Sequence, residues 1–87
     1  MTHIKKLSQL SKEESGRVIS INPKPEIRRR LQDLGLVPET VVTCVFKSPW
    51  KDPSAYLIRG AVIALRNEDA DGILVSTRKA GVLENGF

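Results

Sequence analysis

The sequence predicts a mainly-β fold: a small barrel of about five strands with one inserted α-helix and one short helical turn. Three observations carry this expectation. Short β-branched segments recur between Gly, Pro and Asn punctuation. The segment from Pro25 to Leu34 has apolar residues at helical spacing. Val41 to Phe46 is apolar on both of its alternating faces, as a strand buried on two sides would be.

Taken in order, the first fifteen residues are polar, with Ile4, Leu7 and Leu10 three apart. Ser11-Lys12-Glu13-Glu14 has the form of a capping box, which predicts a single helical turn ended by Gly16. Arg17 to Ile21 reads as a strand, bounded by Gly16 and Asn22-Pro23. Pro25 suits the first helical position, where a missing N–H is no loss. Ile27, Leu31 and Leu34 then line one helix face. Gly35 stands where a left-handed residue ends a helix, and Leu36 can fold back on Leu31 in a Schellman stop.

Val37-Pro38-Glu39-Thr40 reads as a turn with Pro in its second position. Thr40 to Phe46 is a strand, and the loop from Lys47 to Pro53 is fixed by two prolines. Ser54–Arg59 and Ala61–Arg66 are two strands with a bulge or sharp bend at Gly60. Asn67 is a suitable N-cap for a short turn ended by Gly72, and residues 73–77 are the last strand.

At 87 residues and 9.7 kDa the chain holds one domain, placed at residues 1–77, with 78–87 as a C-terminal tail in which Val82, Leu83 and Phe87 could dock. The single cysteine, Cys44, excludes an internal disulfide and suits a reducing compartment. No signal-peptide pattern opens the sequence, and the longest wholly apolar run, Ala61 to Leu65, is far shorter than a membrane span. The reading is therefore cytoplasmic.

Chemistry-bearing motifs are sparse. His3 stands alone near the terminus, Cys44 reads as a small core hydrophobe, and Glu68, Asp69 and Asp71 lack the spacing of a calcium loop. Neither a nucleophile–base pair nor a glycine-rich phosphate loop is present, so no enzyme, metal site or cofactor is expected. The net charge of +4 is spread over the N-terminal residues, over 24–34 and at Arg78-Lys79. The densest run is Arg28-Arg29-Arg30. On a helix, Glu26 would pair with Arg30 and Arg29 with Asp33, so the run is either a solvated face or a face for an acidic partner. Trp50, in the proline-bounded loop, is expected to fold over the barrel end or to serve as an interaction anchor, the packed position being slightly favoured. Tyr56 needs a hydroxyl partner if buried.

Arg30-Leu31-Gln32-Asp33-Leu34-Gly35-Leu36-Val37-Pro38, then Asp52-Pro53, then Tyr56 to Arg66, then Glu68-Asp69-Ala70 and Ile73-Leu74-Val75 together resemble the FeoA family of bacterial ferrous iron uptake. The likeness runs from about Leu7 to Val75. It implies an SH3-like β-barrel with an inserted helix and a non-enzymatic accessory role. It also implies a cytoplasmic protein that binds and modulates the membrane transporter FeoB through its GTP-binding part, and that this partner could recruit to the inner membrane face. The matched blocks read as structural: Leu31, Leu34, Leu36, Ile63 and Leu65 would fill the core, and Gly35 and Gly60 would set the backbone. The family usually carries Gly where this chain has Glu39; a type I turn, which accepts Glu, is the expected conformation. The contact surface for FeoB is placed at Arg28, Arg29, Trp50, Lys51 and Tyr56. Two alternatives stand beside it. A basic barrel could bind nucleic acid, although aromatics at 5% leave no stacking platform. An adaptor could self-associate through an edge strand.

Overall fold

Six segments of extended chain pair antiparallel in the computed structural model, which describes residues 2–50 and 52–78. They are β1 (Thr2–Lys6), β2 (Ser15–Ile21), β3 (Val41–Lys47), β4 (Ser54–Ile58), β5 (Ala61–Leu65) and β6 (Ile73–Arg78). A 3₁₀ turn (Leu7–Gln9) follows β1, α1 (Pro25–Asp33) joins β2 to β3, and α2 (Asn67–Ala70) joins β5 to β6. The sheet order is β1-β6-β2-β3-β4-β5.

This order corrects the expected SH3-like β-barrel. The sheet is open: β1 and β5 are its two edges, and no ladder joins them. The closed-barrel expectation came from reading β3 as buried on both faces. In fact Val42 and Cys44 point inward, while Val41 is 52% and Phe46 51% exposed. A bulge lies between Cys44 and Phe46, so that Cys44 pairs with Tyr56 and Phe46 with Ala55. The extra residue, Val45, shifts the alternation and turns Phe46 to the outer face. A second bulge in β2, between Val18 and Ser20, does the same against β6. The two bulges bend the sheet so that one face wraps a single core.

The wrapped face contributes Val18, Val42, Cys44, Tyr56, Ile58, Leu65, Ile73 and Val75. Leu7 and Leu10, around the 3₁₀ turn, and Leu31 and Leu36, around the end of α1, close it. Each such buried leucine contributes roughly 1.5–3 kcal/mol. Ile63 and Ile27 pack at the margin. Leu34, expected in the core, is 41% exposed. It is the C-cap of α1, and the chain already leaves the helix there.

The end of α1 is the Schellman stop that the sequence predicts. Gly35 has φ +99°, its N–H donates to Gln32 O at 2.9 Å, and the Leu36 N–H donates to Leu31 O at 2.9 Å. The turn after it differs from expectation. Thr40 N–H donates to Val37 O at 3.1 Å and Glu39 has φ +81°, so Pro38-Glu39 forms a type II turn with Glu in the position that favours Gly. Nor is there a bulge at Gly60. Ile58 pairs with Ala61, and Arg59 (φ +50°) and Gly60 (φ +85°) form a two-residue hairpin turn of the primed kind, which matches strand twist.

The N-terminal residues are the strand that sequence reading misses. Thr2-His3-Ile4-Lys5-Lys6 pairs with β6 from Arg78 to Leu74. An edge strand needs only backbone partners on one side, and Ile4, at 67% exposed, leaves no apolar alternation to read. At Ser11–Glu14 the chain makes a turn instead of a helix, though half the capping box survives: the Ser11 N–H donates to the Glu14 carboxylate at 2.8 Å. Gly16 lies inside β2, where a Cβ would come within 2.8 Å of the Val75 side chain. Arg78 belongs to β6 and not to the tail, and the expectation for Val82, Leu83 and Phe87 lies outside the described residues.

Candidate partner-binding surface

The start of α1, α2 and the β3–β4 loop meet at one end of the sheet. Asp52 links the loop to α2: its carboxylate accepts the Asn67 N–H at 3.0 Å, and its own N–H donates to Ser48 Oγ at 2.8 Å. Asn67 is thus the first residue of α2 and not its cap; Arg66 holds the cap position without a side-chain bond, and Asp52 supplies the missing acceptor. Lys24, the N-cap of α1, reaches Glu68 of α2 at 3.9 Å. From the other side, Ser8 Oγ donates to Asp71, and Lys47 donates to Ser8 O at 2.9 Å. The loop base is therefore tied down.

On this frame Trp50 is 86% exposed, the most exposed large apolar side chain among the described residues. The preference for a packed Trp50 is overturned: the loop displays the indole to solvent. Arg28, Arg29 and Arg30 are all exposed on α1. The pairs expected for them do not form; among the described residues the ion pairs are Lys5–Glu14, Arg17–Glu39 and Lys24–Glu68. Side chains that are long and solvated gain little from an i,i+4 pair, so the guanidinium groups have no carboxylate partner among the described residues. Arg30, in the last turn, also faces the negative end of the helix dipole favourably.

Tyr56 does not belong to this surface. It is fully buried, it is the largest buried side chain of the core, and its hydroxyl donates to Leu7 O at 3.5 Å. Burial pushes its phenol pKa up. A β4 position that faces the core ring of Cys44 and Ile63 cannot reach a partner. Lys51 lies outside the described residues. The candidate residues that remain are Arg28, Arg29 and Trp50, on two elements that are tied to α2 through Lys24, Asp52 and Glu68. Sequence reading missed those three, although an Asp immediately before Pro53 was a visible sign of an ordered loop.

Among the described residues no group of three His, Cys, Asp or Glu side chains is placed to hold a metal ion, and Cys44 is buried. An open depression lined by Ser15, Arg17, Glu39, Ser76 and Thr77 contains neither Trp50 nor an α1 arginine. No helix of the described residues is long and apolar enough to cross a membrane.

The family model described as the FeoA domain matches residues 5–77. The FeoA protein of Chlorobium tepidum is 33% identical, with a TM-score of 0.80 over 86% of this chain and 71% of that one. A FeoA-like protein of Clostridium acetobutylicum is also 33% identical, with a TM-score of 0.77 over 91% and 92% of the two chains. FeoA of Stenotrophomonas maltophilia, solved with zinc and described as an SH3 domain protein possibly acting as a bacterial ferrous iron transport activating factor, is 31% identical, with a TM-score of 0.72 over 92% and 99%. No curated protein matches. The matched span takes in every strand and both helices, apart from the first residues of β1 and the last of β6, and the chain belongs to the FeoA family: it is a non-enzymatic accessory protein of ferrous iron transport.

Proposed function

We propose that this chain binds the cytoplasmic, GTP-binding part of FeoB and modulates ferrous iron uptake from the inner face of the membrane. The observation that carries the reading is Trp50. An indole held 86% in solvent on an anchored loop does nothing for the core, and tryptophan is a residue that dominates interface energetics when a partner covers it. Arg28 and Arg29, exposed on α1 and without a carboxylate partner among the described residues, favour an acidic partner surface and speed encounter with it. Family membership, and the activating role ascribed to the Stenotrophomonas relative, support FeoB as that partner.

Calorimetric titration of the chain against the isolated cytoplasmic domain of FeoB, with GDP, with a GTP analogue and without nucleotide, tests the reading. Saturable binding that differs between nucleotide states is the expected result. Absence of binding in every state would remove the cytoplasmic domain as the partner.

A further inference from the structure

The β5 edge is an unusual one to leave open. Natural edge strands carry lysine, proline or a bulge that discourages pairing. β1, the opposite edge, follows that rule with His3, Lys5 and Lys6. β5 is Ala61-Val62-Ile63-Ala64-Leu65, without a charge, a proline or a bulge, and no strand lies beyond it among the described residues.

The hairpin turn fixes which backbone groups of β5 face outward. Ile58 and Ala61 flank a two-residue turn and so form a hydrogen-bonded pair. Ladder bonds alternate from there, so Ala61, Ile63 and Leu65 turn their N–H and C=O toward β4. The N–H and C=O of Val62 and Ala64 point to the open side. Both residues are exposed, and Val62 is 65% exposed.

We infer that β5 is a self-association edge, which pairs antiparallel with β5 of a second copy of this chain about a two-fold axis through Ile63. In that register Val62 of one copy lies opposite Ala64 of the other. Each pair exchanges two backbone hydrogen bonds, so the axis generates four. A large side chain meets a small one in both pairs. An isologous contact sets every residue against its own kind of surface, so a charged edge would repel itself, and this uncharged one does not. The outer faces of the two sheets also become continuous, placing the exposed Val62 and Leu57 of each copy beside those of the other. A five-residue edge buries less than a standard interface, so the dimer is weak and concentration-dependent.

Sedimentation velocity on the full chain, from micromolar to about millimolar, tests this together with amide exchange read residue by residue. The expected result is a monomer–dimer equilibrium in which the Val62 and Ala64 amides gain protection as concentration rises. Val62→Pro removes an outward N–H that β4 does not use, a substitution that edge strands accept. It should weaken dimerisation at least about tenfold. Ala64→Lys, on the exposed face, should do the same through like charge, and far-UV circular dichroism would show both variants folded. A chain that stays monomeric throughout, or a dimer that neither folded variant weakens, would overturn the proposal. So would protection that appears only when the FeoB domain is added, which would give the edge to the transporter.

Discussion

Glu39 occupies a conformation that suits it poorly. Its φ of +81° places Cβ close to its own carbonyl, at a cost of about 1 kcal/mol for a residue other than Gly. The position is nevertheless fixed from both sides: the Glu39 N–H donates to Val18 O, and the Val18 N–H donates to Thr40 O, each at 2.8 Å. Its 3.5 Å pair with Arg17 is exposed and contributes little. Glu39→Gly should therefore stabilise the chain by up to about 1 kcal/mol, after the added freedom of the unfolded glycine is subtracted. A higher urea midpoint with an unchanged slope would show it; a lower midpoint would contradict it. Glu14 gives the second residue-scale prediction. Burial works against its ionisation, but the Ser11 N–H and the Lys5 ammonium at 3.0 Å outweigh it and hold the carboxyl below its ordinary value of 4.5. A folded-state pKa below the unfolded one contributes stability that is present above the unfolded value and is lost as pH falls through the folded one. Stability should therefore decline as pH falls below about 4.5, and Glu14→Gln should reduce that slope, as followed by thermal melts across the acid range.

Elements whose ends are marked by special residues are the legible ones. Pro25 and Gly35 bracket α1, and the two predicted Schellman bonds are present. Gly35→Ala should cost at least about 1 kcal/mol, because φ is +99° and a Cβ there would lie 3.1 Å from the Arg59 side chain. Chemical denaturation reads that loss directly. The five strands from β2 to β6 were likewise visible in their β-branched runs. What the sequence hid has a common cause: these features depend on what lies across the sheet. β1 is a strand because β6 is beside it. Phe46 faces outward because Val45 bulges against β4, and Leu34 is exposed because the helix stops under it. The candidate surface was half legible for the same reason. Arg28 and Arg29 can be placed by helical geometry alone, whereas the exposure of Trp50 is set by the course of its loop, which local sequence does not fix. Tyr56 was misplaced because a lone aromatic in a short strand gives no sign of which face it takes. Asp52→Ala should loosen the loop, lowering the melting temperature modestly and weakening FeoB binding more than stability, which paired melting and titration experiments would separate.

For the whole molecule, the open sheet divides the surface into separate regions. One end, built from the β3–β4 loop, α2 and the start of α1, carries Trp50 and the exposed arginines. One edge, β1, is defended by charge, and the other, β5, is bare. The core lies on one face only and underlies all of them. A partner at the Trp50 end and a second copy at β5 would use different elements, so the two contacts need not compete.

The most direct test is the titration of Trp50→Ala against the cytoplasmic domain of FeoB, with the melting temperature of the variant measured alongside. Removal of a solvent-exposed indole should leave the melting temperature within a degree or two of the parent, and a central interface anchor should cost at least about 2 kcal/mol, or roughly thirtyfold in affinity. Unchanged affinity in a folded Trp50→Ala chain that still binds the domain would contradict the assignment of this surface.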